Sequence, residues 1–212
     1  MRLLQNVFQR NREWAAKTAA DDPEFFPRLS SGQSPQILWI GCADSRVPAN
    51  QIVGSHPGEV FVHRNVANVF VHSDLNALSV LQYAVEVLKV RHVVVCGHYS
   101  CGGVTAAMGD GQYGLIDNWL RHIKDVYAAH RDELEAIEDL SARANRLSEL
   151  NVAAQVRNVC HTSVIQNAWG NGQEVAVHGW VYALHDGILR DLNLCIDGQS
   201  QLNTPYNIGT AS

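Results

Sequence analysis

The 212-residue chain predicts an α/β fold: a mainly parallel central sheet of about four strands, an antiparallel edge strand, helices on both faces and an N-terminal helical extension. Two observations predict it. Short apolar runs rich in β-branched residues, which read as strands covered on both faces, alternate with longer segments whose apolar residues recur every three or four positions. Strands alternating with helices pair in parallel beneath helical layers, whereas a turn pair set directly between the last two runs makes an antiparallel hairpin.

The elements follow in order. The N-terminus, MRLLQNVFQRNREW, spreads Leu, Val, Phe and Arg as an amphipathic helix that docks on the body or on a second subunit. It has no continuous apolar run and no small-residue cleavage site, so it does not read as a secretory signal. The first strand spans 37–41, between Pro35 and a polar segment, and the second spans 60–63, after the turn pair Pro57-Gly58. Ser73 is a suitable N-cap for a helix over 74–89, whose apolar stripe includes Leu75, Leu78, Val85 and Leu88. The third strand, 92–97, is the clearest, with consecutive valines at 93–95. Helices are expected over 115–130, over the short acidic stretch 132–140, and over a long segment, 147–169. A fourth strand spans 175–182 and a fifth 188–196, with Asp186-Gly187 at the hairpin between them. The chain reads as one domain over 1–212, with a helical arm over 1–30 and a loose polar tail over 200–212.

Composition narrows the function. Hydrophobic residues make up 46% and charged residues 17%, which predicts a packed core. The net charge is −5 and no basic stripe is present, which argues against nucleic acid as a partner. No apolar run approaches the length that crosses a bilayer, which argues against a membrane span. The cysteines at 42, 96, 101, 160 and 195 are odd in number and come without an export signal, so reduced thiols and a cytoplasmic location are expected.

In open parallel sheets, chemistry gathers beyond the carboxyl ends of the strands, where the winding reverses. The segment CADSR (42–46) begins as the first strand ends, and GHYSCGG (97–103) as the third ends. If those strands are neighbours, both segments open into one crevice. Cys42, His98 and Cys101 then offer two thiolates and an imidazole, a good donor set for Zn²⁺. Gly102-Gly103 looks like a helix start, which puts Cys101 at a helix N-terminus, where the thiolate is favoured. Three protein ligands leave a coordination position open, as catalysis requires. Asp44 could take that position, and Arg46 could pull it away, since Arg binds carboxylates bidentately. Each feature alone is weak evidence; their combination at two strand ends is stronger. Cys96, Cys160 and Cys195 read as core fillers, and the histidines at 56, 63, 72, 122, 130, 161, 178 and 185 show no ligand spacing.

With HRNVAN (63–68) between these segments and HGWVYALHDG (178–187) after them, the chain resembles the β-class carbonic anhydrases over about residues 32–187. The resemblance implies a zinc enzyme that reversibly hydrates carbon dioxide to bicarbonate and a proton through zinc-bound hydroxide. It also implies a homodimer or homotetramer with active sites at subunit interfaces. By motif, Cys42, His98 and Cys101 would bind zinc, and Asp44 and Arg46 would form an orienting dyad. Gln33, Phe61, Val66, Tyr83 and the Gly102 amide would line the substrate pocket, several of them from the neighbouring subunit. Trp39, Arg64 and Tyr182 match the marks of a subclass that closes its site with the aspartate (here Asp44) on zinc and binds bicarbonate at a separate inhibitory site. That subclass is regulated by bicarbonate and pH. On the residues alone three rivals stay open: another small-molecule lyase or hydrolase, a non-catalytic zinc protein, and a thiol redox protein using Cys42 and Cys101.

Overall fold

The computed structural model describes residues 2–202 and 206–208. The helices are α1 (Arg2–Asp21), α2 (Phe25–Ser30), α3 (Ala49–Ile52), α4 (Leu75–Gln82), α5 (Gly102–Ala107), α6 (Ile116–Ala129), α7 (Arg131–Glu135), α8 (Leu140–Cys160) and α9 (Ser163–Gly170). The strands are β1 (Ile37–Cys42), β2 (Val60–Asn65), β3 (His92–His98), β4 (Ala176–Ala183) and β5 (Ile188–Ile196). They form a sheet ordered β2-β1-β3-β4-β5, in which β5 alone runs antiparallel to its neighbour. The chain passes from β1 to β2 on one side and from β3 to β4 on the other, so the winding reverses between β1 and β3.

The two faces of the sheet are unequally covered. On one, Leu38, Ile40, Val93, Val95, Val177 and Val181 meet Val152, Val156 and Val159 of α8, with Leu81 of α4 and Ile165 of α9. Each such fully buried side chain stabilises the fold by about 1.5–3 kcal/mol relative to exposure. Helix α8 lies close because β3 and β4 have glycines beneath it. A Cβ on Gly97 would stand 2.7 Å from Val152 Cγ2, and one on Gly179 would stand 3.2 Å from Val152 Cγ1. The other face carries a smaller cluster, Trp39, Val60, Val94 and Cys96, with Ala49 and Ile52 from around α3. A third cluster fills the carboxyl end of the sheet, where Cys42, Ala67, Cys101 and Val104 meet Leu120, Ile123 and Leu147.

The five strands fall where the sequence puts them, and the differences are local. The helix expected over 74–89 is capped by Asp74, not Ser73: the Asp74 carboxylate accepts from the backbone N–H groups of Asn76 and Ala77. Its last turn, Tyr83–Val87, widens to i→i+5 bonding. The long helix begins at Leu140, capped by Asp139, and breaks at His161–Thr162, where the Thr162 hydroxyl caps α9. Cys195 is exposed, because alternation along the edge strand β5 turns that position outward. The C-terminal stretch is not loose at residues 206–208. Gln166 donates to Tyr206 O at 2.8 Å and accepts from Ile208 N at 2.8 Å. The rest of the expected tail beyond Leu202 lies outside the described residues.

Gly97→Ala is expected to cost about 1–3 kcal/mol in urea denaturation, the range for overpacking a close contact. Combined with Val152→Ala it is expected to cost less than the sum of the two single changes, because the second removes the methyl that the first collides with.

A candidate metal centre at the carboxyl ends of β1 and β3

Parallel pairing from Ile37↔His92 to Gly41↔Cys96 brings the two strand ends side by side. Cys42 closes β1 and His98 closes β3. Beyond His98 the chain turns through Ser100, which has a left-handed φ of 57°, and Cys101 enters as the N-cap residue of α5. The Cys42 and Cys101 sulfurs lie 4.0 Å apart. With a ring nitrogen of His98, their ligand atoms all fall within 4.8 Å of one another, and all three residues are buried.

The donor set fits a tetrahedral cation. Ligands at zinc–sulfur and zinc–imidazole distances would stand about 3.3–3.8 Å from one another. His98 is 1% exposed, and among the described residues its Nε2 has no hydrogen-bond partner. Its Nδ1 lies 3.0 Å from Tyr99 O, where it donates, which leaves the Nε2 lone pair turned inward. A buried imidazole nitrogen without a partner is costly unless something occupies it. The two sulfurs do not both carry charge easily when in contact. The Cys101 thiol, hydrogen-bonded to Cys42, drives the Cys42 pKa down, helped by His98 and by the N–H groups of Asp44 and Ala67. The same contact, with burial, drives Cys101 up. A divalent cation between them would stabilise both as thiolates.

Asp44 and Arg46 stand at the open side. Arg46 grips both carboxylate oxygens, Nε to Oδ1 at 2.9 Å and a terminal nitrogen to Oδ2 at 2.6 Å, and its backbone N–H also donates to Oδ1 at 2.9 Å. The guanidinium, first through its hydrogen bonds, holds the Asp44 carboxyl well below the usual carboxylate range. Asp44 Oδ2 is 3.8 Å from His98 Nε2, within reach of the centre but outside the set of three mutually close donors.

The other residues singled out in the sequence divide into groups. Val66 is at the centre's edge: a Cβ on Gly103 would stand 2.9 Å from its Cγ1, so glycine lets α5 approach the Val66 loop. A Cβ on Gly102 would meet nothing within 4 Å, so the space over the first turn of α5 is open. Phe61 pairs with Leu38, four residues before Cys42, which places it about 13 Å back along the strands. Tyr83 packs at a tilt of 39° against Phe61, 5.8 Å between ring centroids, and Gln33 lies by Phe25, Leu29 and His56. A single chain therefore does not bring Gln33, Phe61 and Tyr83 onto its own metal centre. Trp39 is 2% exposed and packs edge-on against Trp180, with Tyr182 on the same cluster. Arg64 donates to Cys42 O at 2.7 Å and to Asp44 O at 2.5 Å, so it braces the turn that carries the carboxylate. Sequence reading missed two supports. The Ala67 N–H donates to Cys42 Sγ at 3.4 Å, and Tyr99 OH donates to Glu149 on α8 at 2.6 Å, fixing the turn between His98 and Cys101. Neither leaves a spacing signal, since one is a backbone group and the other partner is distant in sequence.

A largely parallel α/β sheet with a metal-competent Cys-His-Cys donor set at its switch point and a carboxylate–guanidinium pair on the open side is an arrangement suited to a metal-dependent enzyme. Residues 37–189 match the family described as carbonic anhydrase. A carbonic anhydrase of Emericella nidulans is 51% identical over 207 residues, 97% of this chain and 91% of that one. One from Saccharomyces cerevisiae is 32% identical over 198 residues, 90% and 89% of the two chains. Among solved structures, one of two tetrameric β-carbonic anhydrases from Sordaria macrospora superposes with a TM-score of 0.88 at 40% identity, over 92% of this chain and 100% of that one. The Coccomyxa β-carbonic anhydrase in complex with acetazolamide superposes at 0.89 and 39% identity, over 93% and 89%. The chain belongs to the carbonic anhydrase family, in its β class.

Burial, followed by the hydrogen bond to Glu149, pushes the Tyr99 phenol up to about 12 from 10.0. The folded chain thus holds this proton more tightly than the unfolded chain. The resulting stabilisation is complete below pH 10 and is lost as pH rises through about 12. Glu149→Gln removes one of the causes, so phenolate absorbance of the folded variant is expected to rise at lower pH than in the parent.

Proposed function

We propose that this chain catalyses the reversible hydration of carbon dioxide to bicarbonate and a proton, at a zinc ion held by Cys42, His98 and Cys101. The observation that carries the reading is the buried, partnerless His98 Nε2 facing two sulfurs 4.0 Å apart, with Asp44 and Arg46 alongside. Zinc supplies the Lewis acidity that makes a hydroxide nucleophile available near neutral pH, an effect exemplified by the three-histidine carbonic anhydrases. Attack of such a hydroxide on the carbon of carbon dioxide would displace one C=O π pair onto oxygen and give bicarbonate, with the proton released from water passing to buffer. Asp44, fixed and kept ionised by Arg46, accepts the O–H hydrogen bond of the nucleophile and so aims a lone pair at the carbon. Val66 supplies an apolar wall, and the open space at Gly102 leaves its amide free to meet a substrate oxygen.

Regulation follows from the same carboxylate. With zinc held by Cys42, His98 and Cys101, Asp44 would be the nearby carboxylate able to displace the nucleophile, and release of its grip on Arg46 would close the site. Alkaline conditions favour the open arrangement. Bicarbonate held between Trp39, Arg64 and Tyr182 would favour the closed one, because Arg64 would exchange its contacts to Cys42 O and Asp44 O for the anion and so free the turn that carries Asp44.

The working unit is a homo-oligomer, at least a dimer. Helix α1 packs on α2 through Trp14 against Phe25 and Phe26, yet leaves Leu4, Val7 and Phe8 exposed. That apolar stripe, the lightly covered sheet face and the remote position of Gln33, Phe61 and Tyr83 are all met by a second copy that lends those three residues to the centre. Tetramers are on record for the Sordaria relatives. The five free cysteines agree with a reducing compartment, the cytoplasm; among the described residues no helix is long and apolar enough to cross a membrane.

Stopped-flow carbon dioxide hydration across pH, on zinc-quantified protein, is expected to show activity that rises toward alkaline pH. Arg46→Ala is expected to keep the zinc and lose about a hundredfold in kcat/KM through misplacement of Asp44. Tyr182→Phe is expected to relieve inhibition by bicarbonate; equal inhibition of variant and parent would exclude the regulatory site, and zinc-free protein would exclude the centre. In sedimentation velocity the parent is expected to run as a dimer or larger, and the double change Val7→Asp, Phe8→Asp to shift mass toward the monomer. An unshifted profile would show that α1 is not an intersubunit contact.

A further inference from the structure

After β2 the chain makes an irregular loop in which Ala67 (φ 60°, ψ 32°) and Asn68 (φ 48°) take left-handed backbone conformations. Asparagine tolerates that region, whereas alanine does so only when its surroundings impose it. Side chains fix this loop, without any strand ladder. Trp119 Nε1 donates to Val66 O at 2.8 Å, and the Asn65 amide brackets Val69, accepting from its N–H at 2.9 Å and donating to its carbonyl at 2.7 Å. From α8, Asn151 Nδ2 donates to Ala67 O at 3.0 Å, and Gln155 Oε1 accepts from Phe70 N at 2.9 Å. Gln155 Nε2 donates to Asn151 Oδ1 at 2.9 Å, which fixes the sense of the Asn151 amide so that its NH₂ faces Ala67. Asn151 is 0% exposed and Gln155 1%, on the helix face that elsewhere presents valines to the sheet. Two amides in an apolar face are unfavourable unless fully paired, and these are paired to one loop and to each other.

What the loop delivers is the Ala67 N–H, which donates to Cys42 Sγ at 3.4 Å, beside the Asp44 N–H at 3.4 Å. We propose that Asn151, oriented by Gln155, is a positioning residue for the metal centre: it holds Ala67 in its left-handed conformation so that the Ala67 N–H stays on the Cys42 sulfur and draws charge from that ligand. The proposal rests on the reading that Cys42 binds zinc. Two thiolates donate more charge to a metal than imidazoles do, and an N–H on one of them offsets part of that donation, leaving the metal more electrophilic.

The test uses cobalt(II)-substituted protein, whose sulfur-to-metal charge-transfer absorption reports the energy of the thiolate lone pairs. In Asn151→Ala the band is expected to move to lower energy, because Cys42 loses a donor. Adding Ala67→Gly, for which a positive φ carries no steric penalty, is expected to return part of the shift. Val156→Ala, equally buried on α8 but contributing no side-chain hydrogen bond to the loop, is expected to lower stability and leave the band in place. A band unmoved in folded Asn151→Ala, or moved as far by Val156→Ala, overturns the assignment. Should Asn151→Ala not fold, the parent loaded with cadmium-113 decides: scalar coupling between the metal and the Ala67 amide proton is expected across the N–H···S bond, and its absence overturns the proposal. A chain that takes up neither cobalt nor cadmium sinks the zinc reading itself, whereas uptake without shift or coupling sinks only the role of Asn151.

Discussion

The parallel pairing of β1 with β3 is the constraint on which the rest of the structure depends. It is the one place where the winding of the sheet reverses, so no crossover helix fills the space beyond those two strand ends. Cys42 and His98 reach that space because each is the last residue of its strand. The pairing is secured from one face by valines of α8, brought close by glycines at 97 and 179. A shift of one residue in register would turn every side chain of β1 to the opposite face and remove the apolar cluster that surrounds the donors.

Around the centre, polar groups are arranged by what they hold in place more than by the stability they add. The Arg46–Asp44 pair has its Arg side chain 55% exposed, and such pairs contribute about 0–1 kcal/mol. Its value lies in orientation: two parallel hydrogen bonds leave the carboxylate one position, beside His98 Nε2. Arg64 fixes the same turn from below through two carbonyls, and Tyr99, anchored to Glu149, fixes the opposite turn. The buried amides of α8 extend this bracing one layer further out. The centre is thus built as donors on strand ends, turns braced by side chains, and a long helix that serves both core and turns.

How much of this was legible in the sequence depended on the range of the interaction. Strand positions were, because a run such as Val93 to Val95 has few other ways to be buried, and the donor set was, because Cys42, His98 and Cys101 follow directly on such runs. Less legible were helix ends. Asp74 outcompeted Ser73 as cap, and Thr162 split one expected helix in two, because capping depends on which hydroxyl or carboxylate faces a free N–H. The motifs carried the β-class resemblance that the family match supports, while Gln33, Phe61 and Tyr83, which only that resemblance assigns to a pocket, look like ordinary core or loop residues.

By itself the sequence determined the layered α/β class, the antiparallel last strand and the identity of the three metal-competent donors, since hydrophobic period and donor chemistry are local properties. Only the tertiary structure decided that β1 and β3 are neighbours, that His98 Nε2 lacks a partner, and that Asn151 and Gln155 face inward onto the Ala67 loop. Those facts depend on the contact of segments up to some eighty residues apart, and the sense of a buried amide is set by what packs against it, which no spacing along one helix encodes.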